Sequence, residues 1–364
     1  MNAYKLLTPG PLTTTSTVKE QMLLDRCTWD DDYKSITQKI RSQLLAIAGA
    51  DPEQYTAVLM QGSGTFAVES VMTSAVSDED KLLIVTNGAY GERIVQMAKY
   101  IGLNYTEHRI SYNKQPEEGE LRALLAEDPG ITHIAMVHCE TTTGILNPIE
   151  MVAGLSRDYG KTLIIDAMSS FGGIEIDVAG LGIDYLISSA NKCIQGVPGF
   201  GFVIAKLERL KACQGVARSL SLDLYDQWKG MDKDGKWRFT SPTHVVAAFS
   251  KAIDELIEEG GVSARNVRYS ENNRLLRSKL AEIGIEAYIS EDKQSPIITT
   301  FVFPNSSFDF AEFYEYVKQQ GYVIYPGKLT DADTFRIGNI GEIYPQDIEQ
   351  LCSIIRDYMG GTGR

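Results

Sequence analysis

Residues Asp184–Phe202, DYLISSANKCIQGVPGFGF, contain a short apolar strand, a small polar turn with a single lysine, a Gly/Pro loop and the start of a second strand. Lys192 lies between small residues at the exit of the first strand, ahead of Gly196, Pro198, Gly199 and Gly201. There the backbone can approach a ligand closely, and burial can depress an amine pKa far enough to make it a nucleophile. A lone lysine in such a loop is ordinarily solvated, so the reading turns on partners elsewhere in the chain.

Working outward, two partners are found. Asp166 ends the apolar run Thr162–Ile165 within KTLIIDAMSSFGG. A carboxylate after a buried strand stands at the carboxyl edge of a parallel sheet, where open α/β folds place their ligands, and it is suited to holding a pyridinium N–H. Gln61-Gly62-Ser63-Gly64-Thr65 separates the strand-like TAVLM (56–60) from the helix-like FAVESVMTSAV (66–76). Small residues and hydroxyls opening a helix present N–H groups to a phosphate. Taken singly, the aspartate also reads as a helix cap and the G-S-G-T segment as a plain turn. In this order and separation, lysine, strand-end aspartate and the cup at Ser63, Gly64 and Thr65 point to pyridoxal 5'-phosphate.

The rest of the chain supplies the frame. Short apolar runs near 81–86, 103–110, 132–138, 162–166, 185 and 202 alternate with helical stretches, which predicts an α/β fold with a mainly parallel sheet and helices on both faces. The expected organisation is an extended arm over residues 1–14, in which Pro9, Gly10 and Pro11 forbid a helix, a large domain over 15–260 and a smaller α+β domain over 261–364. Helices are expected over Ser16–Leu24 and Tyr33–Ala48, with the acidic corner Trp29-Asp30-Asp31-Asp32 between them serving either as a helix start or in substrate selection. Residues 206–237 show only loose patterning. In the C-terminal part, Arg336 sits in the strand TFRIG, and an inward arginine there is half of an ion pair or an anion clamp.

Composition narrows the function. With 35 Lys+Arg against 48 Asp+Glu in 364 residues, the surface should repel nucleic acid and anionic membrane, and an anionic substrate needs a local basic pocket. Five scattered cysteines form no C-x-x-C pair or metal cluster, which suggests a reducing compartment, and Cys193 reads as a small, weakly polar neighbour of the lysine. No signal pattern or membrane-length apolar run is apparent, so a cytoplasmic location is expected. Neither G-x-G-x-x-G with a downstream acid nor G-x-x-x-x-G-K-[ST] occurs, which disfavours a dehydrogenase or nucleotide-binding protein.

These motifs resemble the class V aminotransferases, a family of fold-type I pyridoxal-phosphate enzymes. The resemblance runs from LLTPGPLTTTSTVKEQMLLDRCTWDDDY (6–33) through QGSGTFAVES, NGAYGER, HCETTTGILNP, DAMSSFGG and SSANKCIQGVPGFGF to FRIGNIG (335–341). It implies that Lys192 carries the cofactor covalently and moves the proton, and that Asp166 keeps the pyridine nitrogen protonated. It further implies that Tyr90 stacks on the ring, that Thr141 and Thr143 lie near the ring oxygen, and that Thr240 reaches the cofactor phosphate of the partner subunit in a homodimer. His138, at a strand end, is either a general acid or a satisfied histidine. The N-terminal stretch is most similar to the branch that uses 2-aminoethylphosphonate and pyruvate, for which Arg336 would grip both anions. The other motifs are shared with the alanine–glyoxylate and serine–pyruvate branches. A cysteine desulfurase of the same fold is disfavoured, because Asn191 precedes the lysine and Cys352 lies in an apparent helix.

Overall fold

The computed structural model describes residues 4–327, 329 and 332–361. Seven strands form the main sheet: β1 (Tyr55–Gln61), β2 (Leu82–Thr86), β3 (Tyr105–Arg109), β4 (His133–Val137), β5 (Thr162–Asp166), β6 (Tyr185–Ser189) and β7 (Phe200–Lys206). Their order across the sheet is β1-β7-β6-β5-β4-β2-β3. Within it, β7 alone runs antiparallel to its neighbours, so the expectation of a mainly parallel α/β sheet holds. Every residue of β2, β4, β5 and β6 is buried, as expected where helices cover both faces of a parallel sheet. On the edge, β3 (YTEHR) carries the polar residues and is only partly covered.

Strands β5 and β6 pair in parallel with Asp166 opposite Ile187, so Asp166 and the turn leading to Lys192 leave the sheet at the same edge. Helix α1 (Gly64–Ala75) follows β1 and lies close against β7, where a Cβ on Gly201 would come within 2.7 Å of the Ala67 methyl. Helix α2 (Ala89–Ile101) follows β2 in the same way.

The loosely patterned stretch contains two helices, Leu207–Ala212 and Leu224–Asp234. In the second, Leu224, Gln227, Trp228 and Met231 form one buried face, and Gln227 donates to the Leu59 carbonyl at 2.8 Å. Interspersed charges and a buried glutamine dilute the apolar periodicity from which sequence reading works. The first expected helix is also shorter, α-helical over Ser16–Glu20 and 3₁₀ over Gln21–Leu23. In the acidic corner, Asp31 and Asp32 occupy the first turn of the helix Asp31–Ile47, where carboxylates suit the helix dipole.

Two large apolar cores are present. One collects residues from Val18 to Leu256 around the main sheet; the other joins Leu7 to residues from Leu276 to Tyr358. The N-terminal arm therefore belongs in packing terms to the C-terminal layer. Lys5–Leu6 pairs in parallel with Tyr322–Val323, Gly338 N–H donates to the Leu7 carbonyl at 2.9 Å, and Glu342 N–H donates to the Thr13 carbonyl at 2.8 Å. A Cβ on Gly338 would collide with the Thr8 carbonyl, so this close approach needs glycine. Substituting Gly338→Val is expected to dislodge residues 8–10 while leaving the main core intact. Limited proteolysis should then cut the arm at least about tenfold faster than in the parent, at little cost in the main unfolding transition; equal cleavage rates would show that the arm is held by other contacts.

Candidate active site

At the edge of the sheet, Ser63, Gly64, Thr65, Tyr90, Asp166 and Lys192 line a single cavity of about 190 Å³, together with Val68, Arg93, Ile94, Met97, Met168, Ser189 and Asn191. Asp166 is buried and accepts a hydrogen bond from Met168 N–H at 2.9 Å. Burial pushes its carboxyl up to about 6; the Met168 hydrogen bond and the cationic Lys192 and Arg93 oppose that shift, and Glu140 adds to it. As a residue Lys192 is only half-buried, because its stem borders the open cavity, but its amine is surrounded by protein and that burial lowers its pKa. Its Nζ donates to the Pro9 carbonyl at 2.9 Å, which sets the arm directly over the site.

The turn that presents Lys192 is pinned at both ends. Gln195 N–H donates to the Lys192 carbonyl at 2.7 Å and Gly196 N–H to the Ala190 carbonyl at 2.9 Å. Gln195 adopts φ 68°, a left-handed conformation that costs a non-glycine residue of order 1 kcal/mol. Its side chain compensates by accepting from Tyr269 Oη at 2.8 Å and from Arg268 Nη2 at 2.9 Å. Both donors lie on the helix Gly261–Ala281, so that helix braces the lysine loop.

Tyr90 is positioned by a group that sequence reading passed over. Glu140 is fully buried and accepts from the backbone N–H groups of Tyr90 and Gly91, each at 3.1 Å, and from Thr142 N–H and Oγ1 at 3.1 and 2.7 Å. Thr142 Oγ1 in turn accepts from Ala89 N–H at 3.0 Å, so the pair caps the start of α2. A Cβ on Gly88 would strike the Glu140 side chain. The signal was present in NG-A-Y and CETT, but only the fold joins the two segments.

Other candidates are placed differently. Thr141 and Thr143 are buried and do not line the cavity; Thr143 Oγ1 accepts from Ile145 N–H at 3.3 Å, and the Thr141 carbonyl accepts from Arg336. Thr240 is exposed and outside the cavity of its own chain. His138 is buried outside the residues that line the cavity; burial lowers its pKa to about 4, which favours the neutral imidazole near pH 7, and its Nδ1 has no hydrogen-bond partner among the described residues. Cys193 donates to the Ser169 carbonyl at 3.2 Å and burial pushes its thiol up to about 12, which keeps it protonated. Asp30, Asp31 and Asp32 do not reach the cavity.

Arg336 is 2% exposed on the strand Thr334–Gly338. It donates to the carbonyls of Thr141 and Pro326, each at 3.0 Å, and to the Tyr90 hydroxyl. Among the described residues no carboxylate forms an ion pair with it, so of the two sequence readings the ion-pair half is not what is found. Arg93, Met168, Ser189 and Asn191 were not anticipated. Arg93 is one helical turn beyond Tyr90, a spacing that puts both on one face; Ser189 is the second serine of the ISSANK run. Among the described residues no cluster of three or more His, Cys, Asp or Glu could hold a metal, and no helix is long and apolar enough to cross a membrane.

A lysine and an aspartate at neighbouring strand ends, facing a hydroxyl-lined helix start across a cavity, define a fold-type I transferase site. The chain belongs to the class V aminotransferase family, whose sequence model matches residues 27–332. It is 65% identical over 359 residues to the 2-aminoethylphosphonate–pyruvate transaminase of Lysinibacillus sphaericus (strain C3-41), covering 99% of this chain and 98% of that one. It is 58% identical over 355 residues to the protein of the same name from Bacillus cytotoxicus, covering 97% of both. Among solved structures, the alanine–glyoxylate aminotransferase from Nostoc sp. superposes with a TM-score of 0.91 at 23% identity, covering 98% of this chain and 95% of that one, a likeness of fold.

The raised carboxyl gives a pH prediction. With a native pKa of about 6 against an ordinary 3.8, the cofactor-free native state binds more protons than the unfolded state between those values. The Asp166 contribution to stability is therefore present below 3.8 and lost as pH rises through about 6. Cofactor-free Asp166→Asn should be more stable than the parent at pH 7 by up to roughly 3 kcal/mol, with the gain growing from about pH 4 to about pH 6 and levelling off above. Denaturant titrations at several pH values measure this; a gain independent of pH would refute the assigned shift.

Proposed function

We propose that this aminotransferase uses pyridoxal 5'-phosphate to move the amino group of 2-aminoethylphosphonate to pyruvate, giving phosphonoacetaldehyde and alanine. The observation that carries the substrate assignment is the 65% identity, over nearly the whole length of both chains, to a protein named for that reaction. The cavity fits the cofactor. It offers an amine for covalent attachment at Lys192, a carboxyl for the pyridine nitrogen at Asp166, an aromatic face at Tyr90, and a helix start at Ser63, Gly64 and Thr65 with no side-chain cap of its own. Ser189 Oγ is buried at its wall with no hydrogen-bond partner among the described residues, as expected of a hydroxyl kept for a bound group.

When bound, the cofactor supplies an electron sink for the carbon that bears the amine. The chain supplies the rest. Burial lowers the pKa of Lys192, which raises the neutral fraction of its amine so that Nζ can attack a carbonyl carbon and later take and return a proton. The Pro9 carbonyl orients that amine. A cation beside Asp166 would stabilise its carboxylate and bring its pKa back down. Arg336, buried and without a described carboxylate partner, supports the reading of an anion clamp, since a guanidinium fork accommodates a phosphonate or a carboxylate.

The same reading makes the enzyme a homodimer in which Thr240 serves the neighbouring copy. Its support is that Thr240 is exposed, and that large apolar side chains lie open both beside it, at Phe239 (48% exposed), and beside the Ser63–Thr65 cup, at Phe66 (49%).

Two experiments test these statements. Purified enzyme given 2-aminoethylphosphonate and pyruvate should yield phosphonoacetaldehyde and alanine, and Arg336→Lys should weaken both half-reactions by roughly 2 to 4 kcal/mol. If serine changes the visible absorption of the bound cofactor at least as fast as the phosphonate does, the serine–pyruvate reading replaces this one. For the shared site, Lys192→Ala and Thr240→Tyr should each be inactive, and co-assembly should restore partial activity because one site of a mixed dimer is intact. No recovery in demonstrated mixed dimers would mean that each site is built from one chain.

A further inference from the structure

Arg93 enters the cavity with no carboxylate at ion-pair distance among the described residues, although its charge is felt by Asp166. It projects from α2 one turn beyond Tyr90, with its guanidinium 4.8 Å from the centre of the Tyr90 ring. Its Nη1 donates to Thr65 Oγ1 at 3.4 Å, and Thr65 is the hydroxyl residue of the cup that opens α1. Among the described residues no carboxylate lies within ion-pair distance of it. Arg265 and Arg268 share Glu259, and Arg41 meets Asp232, whereas the buried Arg336, like Arg93, has no carboxylate at ion-pair distance among the described residues. A second cavity, of about 550 Å³, lies at the opposite edge of the sheet. There Arg209 is paired with Asp184, and Lys161 donates to the Pro129 carbonyl.

In a chain with 48 acidic residues against 35 basic ones, a guanidinium that shares a cavity with Asp166 but has no carboxylate at ion-pair distance among the described residues leaves room for an anion that comes from outside the chain. The unpartnered hydroxyl of Ser189, a residue 2% exposed, lines the same cavity and independently indicates a missing hydrogen-bonding group. We propose that Arg93 completes the cup of Ser63, Gly64 and Thr65 as the guanidinium that binds a phosphorus oxyanion. This rests on the cofactor-dependent reading above and deepens it. Two groups in that reaction carry the required chemistry, the phosphate of the cofactor and the phosphonate of the donor. A planar guanidinium offers either one two parallel N–H donors, whereas the helix start and the hydroxyls offer no net charge.

The test uses full-length protein freed of cofactor, as wild type, Arg93→Lys and Arg93→Ala. Each is titrated with pyridoxal 5'-phosphate and with pyridoxal, which lacks the phosphate, following intrinsic fluorescence; each is then reconstituted and assayed for KM with 2-aminoethylphosphonate and, in the reverse direction, with alanine. If the oxyanion is the cofactor's, Arg93→Ala loses about tenfold or more in affinity for the phosphorylated form and little for pyridoxal, and Arg93→Lys falls between. If it is the donor's, cofactor affinity is unchanged, while KM for the phosphonate rises about tenfold or more and KM for alanine does not. Either pattern supports the proposal. Both arms unchanged in Arg93→Ala overturn it and leave the cofactor reading standing, whereas a wild type that takes up no pyridoxal 5'-phosphate overturns both.

Discussion

Lys192 and Asp166 are held at the ends of neighbouring elements of one parallel sheet, with the amine and the carboxyl both surrounded by protein, and the surrounding structure is arranged to keep them there. Each group pays for this position in its titration: burial lowers the pKa of one and raises that of the other to about 6. A buried amine and a buried carboxyl are unfavourable for folding unless compensated. Such paired displacements, facing one cavity, are what acid–base chemistry near neutral pH requires.

Compensation comes from all layers of the molecule. The sheet supplies direction, since the parallel pairing of β5 and β6 brings both groups out at one edge. The helix Gly261–Ala281 supplies rigidity, holding Gln195 at φ 68° through Tyr269 and Arg268 and so fixing the loop behind Lys192. The arm supplies cover, carrying the Pro9 carbonyl to the amine from the C-terminal layer with which Leu7 packs. The amine thus touches both layers, and a displacement of the smaller layer would reach it through the arm. Glu140 plays the corresponding part for Tyr90, taking up amides at the start of α2 with a carboxylate that never reaches solvent.

The candidate site was largely legible in the sequence where a local pattern carried the information. Lys192, Asp166 and the Ser63–Thr65 cup each follow an apolar strand, and strand exits can be read from composition and punctuation alone. What lay beyond reach joins segments far apart: Glu140 with Tyr90 across 50 residues, and Pro9 with Lys192 across 183. The helices within residues 206–237 were hidden for a different reason, because their buried faces include a glutamine and are interrupted by charges.

The sequence by itself determined the alternation of strands and helices, hence a mainly parallel sheet, and the residue types that can anchor pyridoxal phosphate at its carboxyl edge. Those follow from local rules: strand and helix periodicity, turn chemistry, and the tendency of ligands to collect at strand ends. Only the tertiary structure decided which side chains meet. It gave Arg336 two backbone carbonyls and the Tyr90 hydroxyl in place of a described carboxylate, set Arg93 against Thr65, kept Thr141 and Thr143 out of the cavity, and left Thr240 on the surface. The physical reason is that a side chain's charge and pKa depend on its burial and on its neighbours within a few ångströms, and those neighbours come from parts of the chain that no local pattern connects.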